Sequence, residues 1–157
     1  MTAFTLFHVA ISLVGIFSGL VVLVGLLSAK RLDCWTNTFL VTTIATSVTG
    51  FLFPVQHFMP SHGVGILSII VLTIACIARY VKKLAGFWRR TYVVSAVLAL
   101  YFNVFVLIVQ LFLKVPALHV LAPTGAEPPF AIAQEITLVA FIALGIAATI
   151  RFRPSLE

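Results

Sequence analysis

The sequence predicts an all-α fold: a polytopic transmembrane bundle of five helices, with the N-terminus outside and the C-terminus inside. Three observations predict it. Of the 157 residues, 62% are hydrophobic and 9% charged, with a mean hydropathy of +1.20, whereas soluble domains carry about 25% charged and about 45–50% apolar residues. Stretches of roughly 20 apolar residues, enough to cross about 30 Å of hydrocarbon, recur five times. The ten Lys and Arg residues outnumber the four Asp and Glu and cluster beside alternate ends of those stretches, as cytoplasmic loops do. Water-soluble enzymes, nucleic-acid modules and disordered tails are excluded by the same balance.

The predicted spans are residues 4–27, 38–58, 63–81, 91–113 and 130–150 of one integral-membrane domain, 1–157, with no internal repeat. The first lacks a basic leader, is longer than a signal-peptide core and ends in Ser28-Ala29-Lys30-Arg31, so it is expected to stay as a helix. Lys30 and Arg31 place its end inside. Since helices in lipid associate through small and polar faces, His8, Ser12, Gly15 and Gly19 form its expected inward stripe. In the second span that stripe is Thr43, Thr46, Gly50 and His57, with Pro54 bending the last turn. The uncharged turn Pro60-Ser61-His62-Gly63 belongs outside. The third span aligns His62, Gly65, Ile69, Thr73 and Cys76, with Arg79 snorkelling to the inner surface beside Lys82, Lys83, Arg89 and Arg90.

The fourth span presents Tyr92, Ala96, Ala99, Asn103, Gln110 and Lys114. The prolines of the following connection prevent a continuous helix, leaving residues 115–121 as a short helix on the outer surface. The fifth span presents Gln134, Thr137, Phe141, Gly145 and Thr149, and Arg151 and Arg153 place its end inside. Trp35, Phe87, Trp88 and Tyr92 fall at the inner boundary, where amphipathic rings favour the headgroup level.

All four histidines, His8, His57, His62 and His119, fall on the predicted outer side with Gln56, Gln110, Gln134, Glu127 and Glu135. The candidate pocket there is lined by Asn103, Gln110, Gln134 and Glu135. His8, His57 and His62 are its candidate cofactor-binding residues, because imidazoles from separate helices can hold haem b or a metal ion. Glu135, near the outer end of the fifth span, is expected to hold the Pro-rich loop through its backbone. Asp33 is expected to pair with Arg31 at the inner surface. Cys34 and Cys76 fall inside as reduced thiols, across the membrane from the histidines, so a Cys–His nucleophile or mixed zinc site is not expected. No G-x-S-x-G, Walker A, H-E-x-x-H or G-x-G-x-x-G motif occurs.

The runs LFHVAISLVGIFSGLVVLVGLLSAKRLD, TSVTGFLFP and YFNVFVLIVQLFLKVPALHVLAPT resemble uncharacterised small multi-pass bacterial inner-membrane proteins. The resemblance implies a bacterial inner-membrane location and brings no activity. The leading expectation is a non-enzymatic accessory or ligand-binding bundle in the lipid bilayer, associated with a partner membrane subunit or with its own copies, and with no nucleic-acid partner. A haem- or metal-binding redox protein is the first alternative. A channel or carrier for a small neutral solute, lined by the Thr and Gln stripes and Asn103, is the second.

Overall fold

The computed structural model describes residues 3–53 and 60–153. Among them every regular element is helical: α1 Ala3–Leu27, α2 Asp33–Gly50, α3 Pro60–Cys76 continued by a π turn Ile77–Val81, α4 Phe87–Lys114, the single turn α5 Pro116–His119, and α6 Pro128–Arg151. Four helices are long and apolar enough to cross a membrane: Ala3–Leu27, His62–Val81, Phe87–Lys114 and Pro128–Arg151.

α2 is the polar one, with seven Thr and Ser in its 18 residues DCWTNTFLVTTIATSVTG. It begins at Asp33, whose carboxylate suits the positive end of a helix, and reaches Gly50; the predicted stretch beyond it, with Pro54 and His57, lies outside the described residues. At about 1.5 Å per residue α2 is about 27 Å long. Several of its hydroxyls are turned onto its own backbone: Thr38 Oγ1 donates to the Cys34 carbonyl at 3.0 Å, Thr42 to Thr38 at 2.7 Å, and Thr49 to Ala45 at 2.7 Å. Such i−4 bonds satisfy a polar group without a partner helix.

α1 and α2 pack as an antiparallel hairpin along their full length. Phe4 meets Phe53, and His8 meets Thr49. A Cβ placed on Gly15 would come within 3.3 Å of Thr43 Oγ1, and one on Gly19 within 2.9 Å of the Phe39 ring and 2.6 Å of Leu100 Cδ1. Gly15 and Gly19 are four residues apart, on one face, so the absent side chains let the two backbones and α4 close on one another. The turn between the helices is closed by Lys30 N–H donating to the Gly25 carbonyl at 2.9 Å.

α4 is the central element, in contact with α1, α3 and α6. Its buried face runs through Tyr92, Ser95, Ala96, Ala99 and Leu100, and with Val22, Leu23, Leu26, Phe39, Leu72 and Ala75 these build the core. The predicted inward face of the third span is rotated: Ser68, Leu72, Ala75 and Ala78 are buried, while Thr73 is exposed and bonds back to the Ile69 carbonyl at 2.8 Å. α6 lies at the periphery, with Ala148 its one buried residue.

Replacing Gly19 with Ile should destabilise the bundle by about 1–3 kcal/mol through overpacking against Phe39 and Leu100. Val139→Ala, on the exposed side of α6, should change stability by less than about 0.5 kcal/mol. Thermal unfolding in detergent, followed by helical circular dichroism, separates the two.

Candidate functional site

The alternating direction of the helices gives the bundle two chemically distinct ends. One carries the Lys and Arg residues other than Lys114, which ends α4 at the opposite end. The other gathers the starts of α1, α3 and α6 and the ends of α2 and α4, and holds the described histidines His8, His62 and His119.

At the histidine end, the His8 ring is fixed from two sides. Its Nδ1 is 2.8 Å from Thr49 Oγ1, and its edge packs on the Phe53 ring at 5.0 Å between centroids. Thr49 has one hydroxyl proton, already directed at the Ala45 carbonyl at 2.7 Å, so the hydroxyl oxygen is the acceptor and His8 Nδ1–H the donor. The neutral ring therefore carries its lone pair on Nε2, the nitrogen available to accept a hydrogen bond or to ligate. Ser12, one turn on, donates to the His8 carbonyl at 2.7 Å. Half-buried His62 packs on Phe51 at 5.9 Å, and Phe51 also fills the space beside Gly65 on α3. The start of α1, the end of α2 and the start of α3 thus bring imidazole and phenyl rings to one end of the bundle. His57 and Gln56 fall in the undescribed segment, and His119 is exposed on α5. Among the described residues no three His, Cys, Asp or Glu side chains gather closely enough to hold a metal ion.

Two of the predicted pocket-lining amides bridge helices. Asn103 Nδ2 donates to Thr43 Oγ1 at 3.2 Å, beside Gly15, tying α4 to α2 in mid-bundle. Gln134 Nε2 donates to the Phe105 carbonyl at 3.2 Å, tying α6 to α4, while its Oε1 is buried with no partner among the described residues. Gln110 is half-buried on α4, and Glu135 is exposed.

The expected role of Glu135 belongs to Glu127. Because α6 starts at Pro128, Glu135 lies beyond its first turn, and Glu127 stands immediately before it. Glu127 accepts from Thr124 N–H at 3.1 Å, Thr124 Oγ1 at 2.8 Å and Ala126 N–H at 3.1 Å, closing the loop on itself. Desolvation pushes its pKa up, but these hydrogen bonds together outweigh it and hold the carboxyl below its usual range.

The basic end holds a group that the sequence reading misplaced. Arg79 does not snorkel: its side chain is 5% exposed and ion-paired with Asp33, which is 62% exposed. Arg31, the expected partner of Asp33, reaches it only at 3.8 Å. The guanidinium lies 5.5 Å from the Tyr92 ring centroid and 5.6 Å from that of Tyr80, stabilising by about 0.5–2 kcal/mol per ring. Tyr80 in turn donates to Asn37 Oδ1, joining α3 to α2 again. The π turn explains the inward aim, since its wider ring lets the adjacent Ala78 and Arg79 both be buried. Among the described residues, Arg79 Nε finds no hydrogen-bond partner. Asp33 is the only acidic residue at this end among the described residues.

Asp33→Asn should destabilise the bundle by about 1–3 kcal/mol, because it strands a buried cation, and Arg31→Gln should cost less. The double variant Asp33→Asn/Arg79→Met should recover part of the loss in thermal unfolding. The depressed Glu127 pKa means that its contribution to loop order is complete above the ordinary carboxylate range and fades as pH falls through the folded-state value. Amide exchange at Thr124 and Ala126 should therefore quicken at acid pH, and Glu127→Gln should abolish that dependence. No family model, curated protein or solved structure matches this chain.

Proposed function

We propose that the chain is a five-span protein of the bacterial inner membrane, N-terminus outside and C-terminus inside, acting as a non-enzymatic accessory or ligand-binding bundle. Its working surface is the polar, outward-facing mouth around His8 and His62. The observation that carries this reading is the fixed imidazole of His8: Thr49 takes Nδ1–H, Phe53 supports the ring, and Nε2 keeps its lone pair. A preset acceptor among aromatic rings suits an N–H or O–H donor of a partner membrane subunit or a small ligand. The span count draws support from α2, of 18 residues, packing antiparallel against α1, a helix long and apolar enough to cross.

The same nitrogen supports a second reading. A ligating imidazole usually donates its other N–H to an oxygen, as His8 does to Thr49, so haem or metal binding by His8 with His62, and with His57 from the undescribed segment, is the alternative. The solute-channel reading has less behind it, because the Asn103 and Gln134 amides donate to Thr43 and to the Phe105 carbonyl.

Ultraviolet-visible spectra of protein purified from cells supplied with haem and metals, oxidised and then dithionite-reduced, with elemental analysis, distinguish the two readings. The accessory reading predicts a colourless, metal-free sample and a specific photo-crosslinked product from position 62 that His8→Gln weakens. A stoichiometric Soret band or bound metal, lost in His8→Gln, overturns it in favour of the second. Reporter fusions after Ala29, Ser61, Gly86, Gly125 and Glu157 should read inside, outside, inside, outside and inside; any other pattern contradicts the five-span arrangement.

A further inference from the structure

The peripheral packing of α6 leaves a groove between α4 and α6 with a cavity volume of about 430 Å³. Val94, Leu98 and Tyr101 form one wall and Leu138, Ile146 and Ile150 the other, and the lining is almost wholly apolar. From Leu138 to Ile150 it runs about 18 Å along α6 at about 1.5 Å per residue. That approximates one leaflet, half of the about 30 Å hydrocarbon core.

The groove does not end in neutral surroundings. At its Ile150 end, Arg89 donates to the Phe152 carbonyl and pins the end of α6 to the start of α4. That bond brings together the neighbours in sequence: Arg90 after Arg89, and Arg151 and Arg153 on either side of Phe152, all three exposed. Neither the first turn of α4 nor the last turn of α6 holds an acidic residue, and Asp33 is engaged by Arg79. Glu157, the nearest acid in sequence, lies outside the described residues. An apolar slot about one leaflet long therefore ends beside three exposed arginines.

We infer that this groove is a binding site for one anionic phospholipid, its acyl chain along Tyr101, Leu138 and Ile146 and its phosphate among Arg90, Arg151 and Arg153. Guanidinium pairs phosphate through parallel N–H bonds, and basic corners between membrane helices select anionic headgroups. Charge complementarity favours a lipid over a second copy of the chain, because two copies packed symmetrically through this groove would set their arginine clusters against each other. The inference rests on the membrane-spanning reading but not on the histidine mouth.

The test is lipid retention by the full chain in mild detergent, measured by native mass spectrometry and thermal shift, with phosphatidylglycerol and phosphatidylcholine of identical acyl chains. Phosphatidylglycerol should be retained about tenfold or more in preference. Arg90→Gln/Arg151→Gln should remove that preference, and Ile146→Trp should lower retention of both lipids, with helicity and elution unchanged. Equal retention of the two lipids by the unaltered protein overturns the proposal, whatever becomes of the variants. So does equal stabilisation by inorganic phosphate, which would mean an anion site without the groove, or a lipid-free dimer closed over α4 and α6. Because retention in detergent does not depend on sidedness, failure here and failure of the fusion pattern are separate results.

Discussion

The close approach of α1 to α2 and α4 at Gly15 and Gly19 sets the spacing on which the other contacts depend. A side chain at Gly19 would occupy the space taken by Phe39 and Leu100, and moving α1 outward would separate His8 from Thr49 and open the junction where Asn103 reaches Thr43. In hydrocarbon there is little hydrophobic gain from joining helices, since lipid is as apolar as leucine, so tight packing and satisfied polar groups must supply the association. The two glycines make the first available and position the partners for the second.

The same requirement explains where the polar side chains go. The α2 hydroxyls turn back to carbonyls of their own helix, and the two amides tie α4 to α2 and α6 to α4. At the basic end the logic changes, because a guanidinium is too costly to bury alone. Arg79 is tolerated because Asp33 pairs with it and two tyrosine rings face it, so one interaction network joins α2, α3 and α4. These polar contacts are mainly structural, whereas the mouth around His8 retains an acceptor nitrogen and the corner around Arg90 and Arg151 retains charge.

Much of the architecture was legible in the sequence. The stretches that became α1, α3, α4 and α6 stand out because length and apolarity are local properties. α2 was placed about five residues late, because Asp33, Trp35 and Asn37 read as loop residues although the acid favours a helix start. The face of α3 was misread because spacing alone does not show which neighbour an element meets, and Thr73 gains little from burial once its hydroxyl bonds to Ile69. The Arg79–Asp33 pair was illegible for a related reason: 46 residues separate the partners, and only the hairpin returns and the π turn bring them together. Glu135 was preferred to Glu127 because the start of α6 was set two residues too late. His8, His62 and His119 lie at one end of the bundle, and Thr49, which takes the His8 Nδ1–H, escapes the sequence pattern because it sits off the predicted stripe.

The central claim is that α2, despite its hydroxyls, crosses the bilayer alongside α1. The direct test is accessibility in intact membranes of single cysteines at Val41 and Val48, both on the outer surface of α2, in a Cys34→Ser/Cys76→Ser background. The account predicts that both positions are protected from a membrane-impermeant maleimide applied from either side, and react once the bundle is unfolded in denaturing detergent. Rapid modification of both by the impermeant reagent would place α2 in water and contradict the five-span bundle.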